Sequence, residues 1–108
     1  MKLYTWHKIE LFTAQSLPDN KLTEVSVADK KVGLLKKNNT VMAFTALCPH
    51  AGANLCEGWL DAIGRIVCPL HKYRFDAATG RNTSGEGYKL FTYPVELRDG
   101  NIYIGLLP

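Results

Sequence analysis

Two short stretches, Cys48-Pro49-His50 and Cys68-Pro69-Leu70-His71, decide the reading of this chain; seventeen residues separate His50 from Cys68. Each stretch offers one thiolate and one imidazole. Structural zinc modules more often pair like with like, a cysteine knuckle and then a histidine knuckle. Mixed knuckles suit a [2Fe–2S] cluster in which two cysteines hold one iron and two histidines hold the other. Cys48, His50, Cys68 and His71 are therefore the candidate cofactor-binding and metal-ligating residues, with a structural zinc site as the competing assignment.

Outward from the knuckles the chain reads as short strands separated by turn signals. Strands are predicted at Tyr4–Ile9, Leu22–Val27, Lys31–Lys36, Val41–Leu47, Trp59–Ala62, Arg65–Cys68, Tyr73–Asp76, Leu90–Leu97 and Ile102–Leu106. Ala28-Asp29, Asn38-Asn39, Ile63-Gly64, Thr79-Gly80 and Asp99-Gly100 supply the turns. Around Asp99-Gly100 the alternation of apolar and polar residues is a strong hairpin signal. Thr13–Leu17, stopped by Pro18, fits one helical turn, and no long segment has helical periodicity. Many short strands at close spacing imply an all-β sandwich or barrel.

The segment from Thr45 to Gly87 differs from its flanks. It holds six of the nine glycines, all three cysteines and two of the three histidines. It reads as an insertion, residues about 45–87, that carries the metal on a sheet built from both ends of one domain spanning residues 1–108. Cys48 begins the loop after the predicted strand Val41–Leu47 and Cys68 ends the predicted strand Arg65–Cys68, so the two ligand loops sit at hairpin tips that can face each other. Pro49 and Pro69 stiffen them. Gly52 and the residues after it are expected to leave backbone N–H groups free for cluster sulfurs.

A chain of 108 residues fits one domain with a marginal core, which a cluster closing a long loop would stabilise. The net charge of +3 is too weak to argue for nucleic acid, and no basic stripe appears. No apolar run reaches membrane-spanning length. The first residues lack the apolar core of a signal peptide, which points to the cytoplasm. With Cys48 and Cys68 assigned as ligands, Cys56 is left over, and it reads as a small buried hydrophobe.

The pattern C-x-H-x17-C-x2-H, followed by Tyr73-Arg74-Phe75-Asp76 and Thr79-Gly80, resembles Rieske-type [2Fe–2S] ferredoxins. The resemblance extends through Cys48 to Leu55, Glu57-Gly58 and the terminal stretch Tyr93 to Ile104, and the small subunit of nitrite reductase is similar over the same residues. It implies an all-β Rieske fold: a small antiparallel sandwich or barrel with an inserted two-loop cluster-binding subdomain. It also implies one [2Fe–2S] cluster, its cysteine-bound iron buried and its histidine-bound iron near the surface. The implied role is a one-electron carrier, not itself an enzyme, between a reductase and a terminal oxygenase or reductase. The small subunit of an assimilatory nitrite reductase is the alternative, and a zinc or interaction module is an alternative of another class.

The chain departs from the cytochrome-complex members of that family. Ala53 and Leu70 stand where those proteins carry a disulfide, and Phe75 stands where they carry a tyrosine hydroxyl. Fewer hydrogen bonds to the cluster imply a potential toward the low end of the Rieske range, about −150 mV. Lys72 stands where many relatives have glycine, and Ser84-Gly85-Glu86-Gly87 replaces a common proline. Elsewhere the candidates are bland. His7 reads as a surface residue of the first strand, Trp6 and Trp59 as sheet-packing residues, and Lys36-Lys37-Asn38-Asn39 as a solvated turn. No paired carboxylates, P-loop or dinucleotide fingerprint supports an enzyme of another kind.

Overall fold

Tight two-residue turns organise the base of the molecule in a computed structural model that describes residues 3–49, 52–70, 72–83 and 89–107. Ala28-Asp29 joins β2 (Thr23–Val27) to β3 (Lys30–Lys37), and Asn38-Asn39 joins β3 to β4 (Thr40–Thr45). Both residues of each turn have positive φ, 48° and 66° in the first and 52° and 63° in the second. This is the type I′ geometry whose twist matches that of paired strands. Asp99-Gly100 repeats it between β9 (Val95–Arg98) and β10 (Asn101–Leu106), with φ of 52° and 80°.

β1 (Thr5–Thr13), β10 and β9 form one antiparallel sheet in the order β1-β10-β9. A second has the order β2-β3-β4-β8, where β8 is Thr92–Tyr93. The third is small: β5 (Trp59–Leu60), β6 (Ile66–Val67) and β7 (Arg74–Phe75). No α-helix occurs among the described residues, so the all-β expectation holds.

The period-2 alternation of strands divides the core in two. Val25, Val27, Val32, Leu34, Val41 and Ala43 face Ile9, Ile102, Ile104 and Leu106 of the first sheet. Leu35 and Phe44 have the opposite parity and pack with Leu55, Ile66, Phe75, Ala77 and Leu90 of the insertion. The second sheet is thus the middle of three layers. This explains the unbroken run Val32-Gly33-Leu34-Leu35, every residue of which is buried: β3 has no solvent face to pattern.

Several predicted boundaries are corrected. The single strand expected at Leu90–Leu97 is two, interrupted at Pro94. Thr92–Tyr93 pairs with β4, whereas Val95–Arg98 pairs with β10, so the chain changes sheets at the residue that lacks an N–H. The first strand runs to Thr13 through a register shift between Lys8 and Thr13. The strand before Cys48 ends at Thr45, and those expected at Trp59–Ala62, Arg65–Cys68 and Tyr73–Asp76 shorten to two residues each. The turn at Thr13–Leu17 does form: Leu17 N–H donates to the Thr13 carbonyl at 3.0 Å. Lys36 is not solvated, because its side chain is only 12 % exposed and donates to the Ala14 carbonyl at 2.6 Å.

Candidate metal centre

The insertion leaves the middle sheet after Thr45 and returns at Phe91, where Thr45 N–H donates to the Phe91 carbonyl at 2.9 Å. Two loops of matching backbone construction lie within it. In the first, Leu47 pairs with Asn54, Cys48 N–H donates to Ala53 O at 2.7 Å, and Gly52 N–H donates to Cys48 O at 2.8 Å. In the second, Val67 pairs with Arg74, Cys68 N–H donates to Tyr73 O at 2.9 Å, and Lys72 N–H donates to Cys68 O at 3.0 Å. Each cysteine follows the last closing pair, and each loop turns through a residue of positive φ, Gly52 at 71° and Lys72 at 60°.

These bonds correct one expectation in part. The N–H groups of Gly52, Leu55 and Cys56 are not free: they are taken by Cys48 O, Ala46 O and the Asn54 side chain. The loop hydrogen bonds hold the cysteines in place instead.

Cys48 and Cys68 are both buried, at 2 % and 0 % exposure, within one apolar cluster, and neither is in a disulfide. Phe75 and Leu55 pack in the same cluster. Gly58 shows how closely the loops' supports approach. A Cβ there would overlap the Val67 carbonyl and meet Pro69 Cδ at 3.2 Å. The turn that follows the first loop therefore rests directly on the entrance to the second. His50 and His71 lie outside the described residues, as does Ser84-Gly85-Glu86-Gly87.

Cys56 is half-buried and packs against the same cluster. Burial, and secondarily the charge of Glu24, push its thiol up to about 11. In the absence of a metal such a thiol stays protonated at neutral pH. Trp6 packs between Tyr4 and Arg98, whose guanidinium carbon lies 5.6 Å from the indole, and His7 is partly buried on β1. Trp59 joins β5 but stays 47 % exposed.

Two polar supports escaped the sequence reading. Asn54 caps the 3-10 turn Leu55–Glu57 through its Oδ1, while its Nδ2 donates to the Glu24 carboxylate on β2. An Asn before an apolar residue is a cap signal, but nothing local points to Glu24. Asp61 accepts from the N–H of Ile63 and Arg65, pairs with Arg65 Nε at 2.7 Å, and lies 3.4 Å from Arg74 Nε. Desolvation opposes its ionisation, but the Arg65 and Ile63 N–H groups and the Arg65 guanidinium outweigh it and hold the carboxyl below its usual range. The Asp61–Arg74 contact ties the β5–β6 turn to the exit of the second ligand loop.

Two buried thiols, one at the root of each of two matched loops in a water-poor core, are a donor set for a soft metal centre shared between the loops. Residues 7–94 match the Rieske [2Fe-2S] domain, and the chain belongs to that family. Its cofactor is one [2Fe–2S] cluster. The sequence is 32% identical over 100 residues to the ferredoxin component of the naphthalene 1,2-dioxygenase system of Pseudomonas aeruginosa, covering 91% of this chain and 94% of that one. The fold matches the ferredoxin of carbazole 1,9a-dioxygenase from Nocardioides aromaticivorans IC177 with a TM-score of 0.81 and 29% identity, over 90% of this chain and 95% of that one. It also matches a protein described as the small subunit of an NADH-dependent nitrite reductase from Mycobacterium tuberculosis, with a TM-score of 0.85 over 99% of each chain. At 19% identity the last shows the fold alone.

Proposed function

We propose that this chain is a one-electron carrier that receives electrons from a reductase and delivers them to a terminal oxygenase. The observation that carries this is the pair of matched loops with Cys48 and Cys68 buried in a common core, in a chain that aligns along most of its length with oxygenase-system ferredoxins. Cys48 and Cys68 would hold the inner iron, and His50 and His71 the outer one. Residues 1–108 form one domain whose cluster-bearing part is about 45–87. The bound cluster supplies a single-electron couple. The protein's own contribution is to keep water from the thiolates with Leu55, Phe75 and Leu90, and to fix both loops by backbone hydrogen bonds so that little rearranges on electron uptake. The protein is a carrier component and not a complete enzyme, and its place is the cytoplasm. Among the described residues no helix is long and apolar enough to cross a membrane.

The purified chain should contain two irons and two acid-labile sulfides, and dithionite should produce the anisotropic EPR signal of a mixed-valence pair with histidine ligation. Cys68→Ser and His71→Ala should each abolish it. One zinc per chain without sulfide would refute the assignment. Reconstitution with the reductase and oxygenase encoded beside its gene tests the partners. Turnover only with a nitrite reductase large subunit would move the chain to that system.

A further inference from the structure

Gly52 and Lys72 occupy the same place in the two ligand loops. Each donates its N–H to its own loop's cysteine carbonyl, and each has positive φ, 71° and 60°. Glycine adopts this conformation freely, whereas a long L side chain rarely does. The first loop thus uses the residue its backbone demands and the second does not. Strain of this kind, held at a functional loop, points to the side chain as the reason for its retention. The Lys72 side chain is exposed, and among the described residues its ammonium makes no ion pair. Next to the two loops' cysteines stand large apolar side chains open to solvent: Leu47 at 46% and Leu70 at 55% exposure.

Building on the electron-carrier reading, we propose that Lys72 is a specificity-determining cation of the electron-exchange surface, selecting a partner whose docking face is acidic around an apolar centre. The charge sits one residue after His71, which on the carrier reading would hold the outer iron. It acts by drawing acidic partners into register and repelling basic ones, an effect that salt screens. Leu47 and Leu70 supply the uncharged contacts of that surface.

The test compares the loaded wild-type protein with Lys72→Gln, Lys72→Glu and Lys72→Gly. Reduced protein is oxidised by two small probes of opposite charge, ferricyanide and tris(phenanthroline)cobalt(III), at low and high ionic strength. Lys72→Gln should slow the ferricyanide reaction about threefold at low salt and speed the cobalt reaction comparably, with both changes fading at high salt. Lys72→Glu should double the effect on a logarithmic scale. Lys72→Gly should match Lys72→Gln in rate yet melt at a higher temperature than wild type, because it loses the charge and the strain together. Rates insensitive to the charge at position 72 would overturn the inference, as would a Lys72→Gly protein no more stable than wild type. A wild-type chain that takes up no iron and sulfide would defeat the carrier reading as well; a loaded chain with unchanged rates defeats this inference alone.

Discussion

The base of the molecule and its insertion are built on different terms. In the base, β1, β3, β4 and β10 run nine, eight, six and six residues, and type I′ turns close its hairpins. Its buried core is aliphatic, supplied by the two sheets and by Leu17 of the turn after β1, with Phe12 and Tyr93 packed at its edge. In the insertion, β5, β6 and β7 have two residues each, and most of the backbone is loop. Its core borrows Leu35 and Phe44 from the base and includes both candidate cysteine ligands. Strand pairs this short do not stand alone in water. The base should therefore fold by itself, whereas the insertion depends on the base beneath it and on the metal between its loops.

The sharpest way to break this comparison is Gly58→Ala. The added methyl has nowhere to go except into the Val67 carbonyl, at the point where the two loop supports touch. The expected outcome is failure to retain iron and sulfide, with slow amide exchange preserved in β2, β3 and β4. Exchange lost equally across both regions would show that they are one cooperative unit.

A pair of core truncations comes next. Leu34→Ala lies in the aliphatic core of the base and should lower global stability by about 2–5 kcal/mol while leaving the visible spectrum of the cluster unchanged. Phe75→Ala lies beside the cysteines and should bleach that spectrum at temperatures where the base stays folded. Thermal melts followed by absorbance and by far-ultraviolet circular dichroism would coincide in the first variant and separate in the second.

Acid should separate the regions too. Asp61 lies in the insertion, and its folded carboxyl titrates below the ordinary value. Its contribution is present above the unfolded carboxyl pKa and is lost as pH falls through the folded one. On acidification below the ordinary carboxylate range, the insertion of the wild type should therefore loosen before the base. In Asp61→Asn that pH dependence should flatten, with lower stability than wild type at neutral pH and a gap that closes on acidification. An unchanged acid profile would remove Asp61 from the account.

A smaller effect is expected at the joint. Glu24 on the base accepts from Asn54 in the insertion, and Lys37 Nζ at the end of β3 donates to Ile63 O at 3.4 Å. Glu24→Ala should cost about 1 kcal/mol and lower cluster retention. Glu24→Gln keeps an acceptor for Asn54 and should recover most of it. Equal losses in the two variants would make the charge, not the hydrogen bond, responsible.

The same division governs what the sequence disclosed. Asn38-Asn39 and Asp99-Gly100 were readable because turn chemistry is local. The sheet change at Pro94 was hidden, since Leu90–Leu97 is apolar enough to read as one strand. The double burial of β3 was hidden for a related reason: a run such as Val32–Leu35 carries no alternation from which to infer a second layer. Glu24–Asn54 joins residues thirty positions apart, and no local rule anticipates it. The positive φ of Lys72 could be sensed only as a departure from glycine. In the candidate site, the burial of Cys48 and Cys68 agrees with the spacing argument; His50 and His71 rest on the motif.

The smallest effect probes the base alone. Ala28 begins the β2–β3 turn with φ of 48°, in the left-handed region where its methyl group crowds the following carbonyl. Asn38 and Asp99 hold the corresponding place in the other two type I′ turns, at 52° each, and residues of that kind are preferred there. Ala28 is exposed, so a larger polar side chain meets no packing penalty. Ala28→Asn should stabilise the protein by about 0.5–1 kcal/mol, a rise of a few degrees in melting temperature for a domain of this size. Because the turn lies wholly within the base, the gain should appear in the slowest-exchanging amides of β2, β3 and β4 and leave those of β6 and β7 unmoved. Lys72→Gly relieves the same backbone strain within the insertion, so its gain should appear at β6 and β7 and leave the base unmoved. A gain from Ala28→Asn that reached both regions equally would mean that the insertion opens only when the base unfolds, and the division between them would then be one of architecture but not of stability.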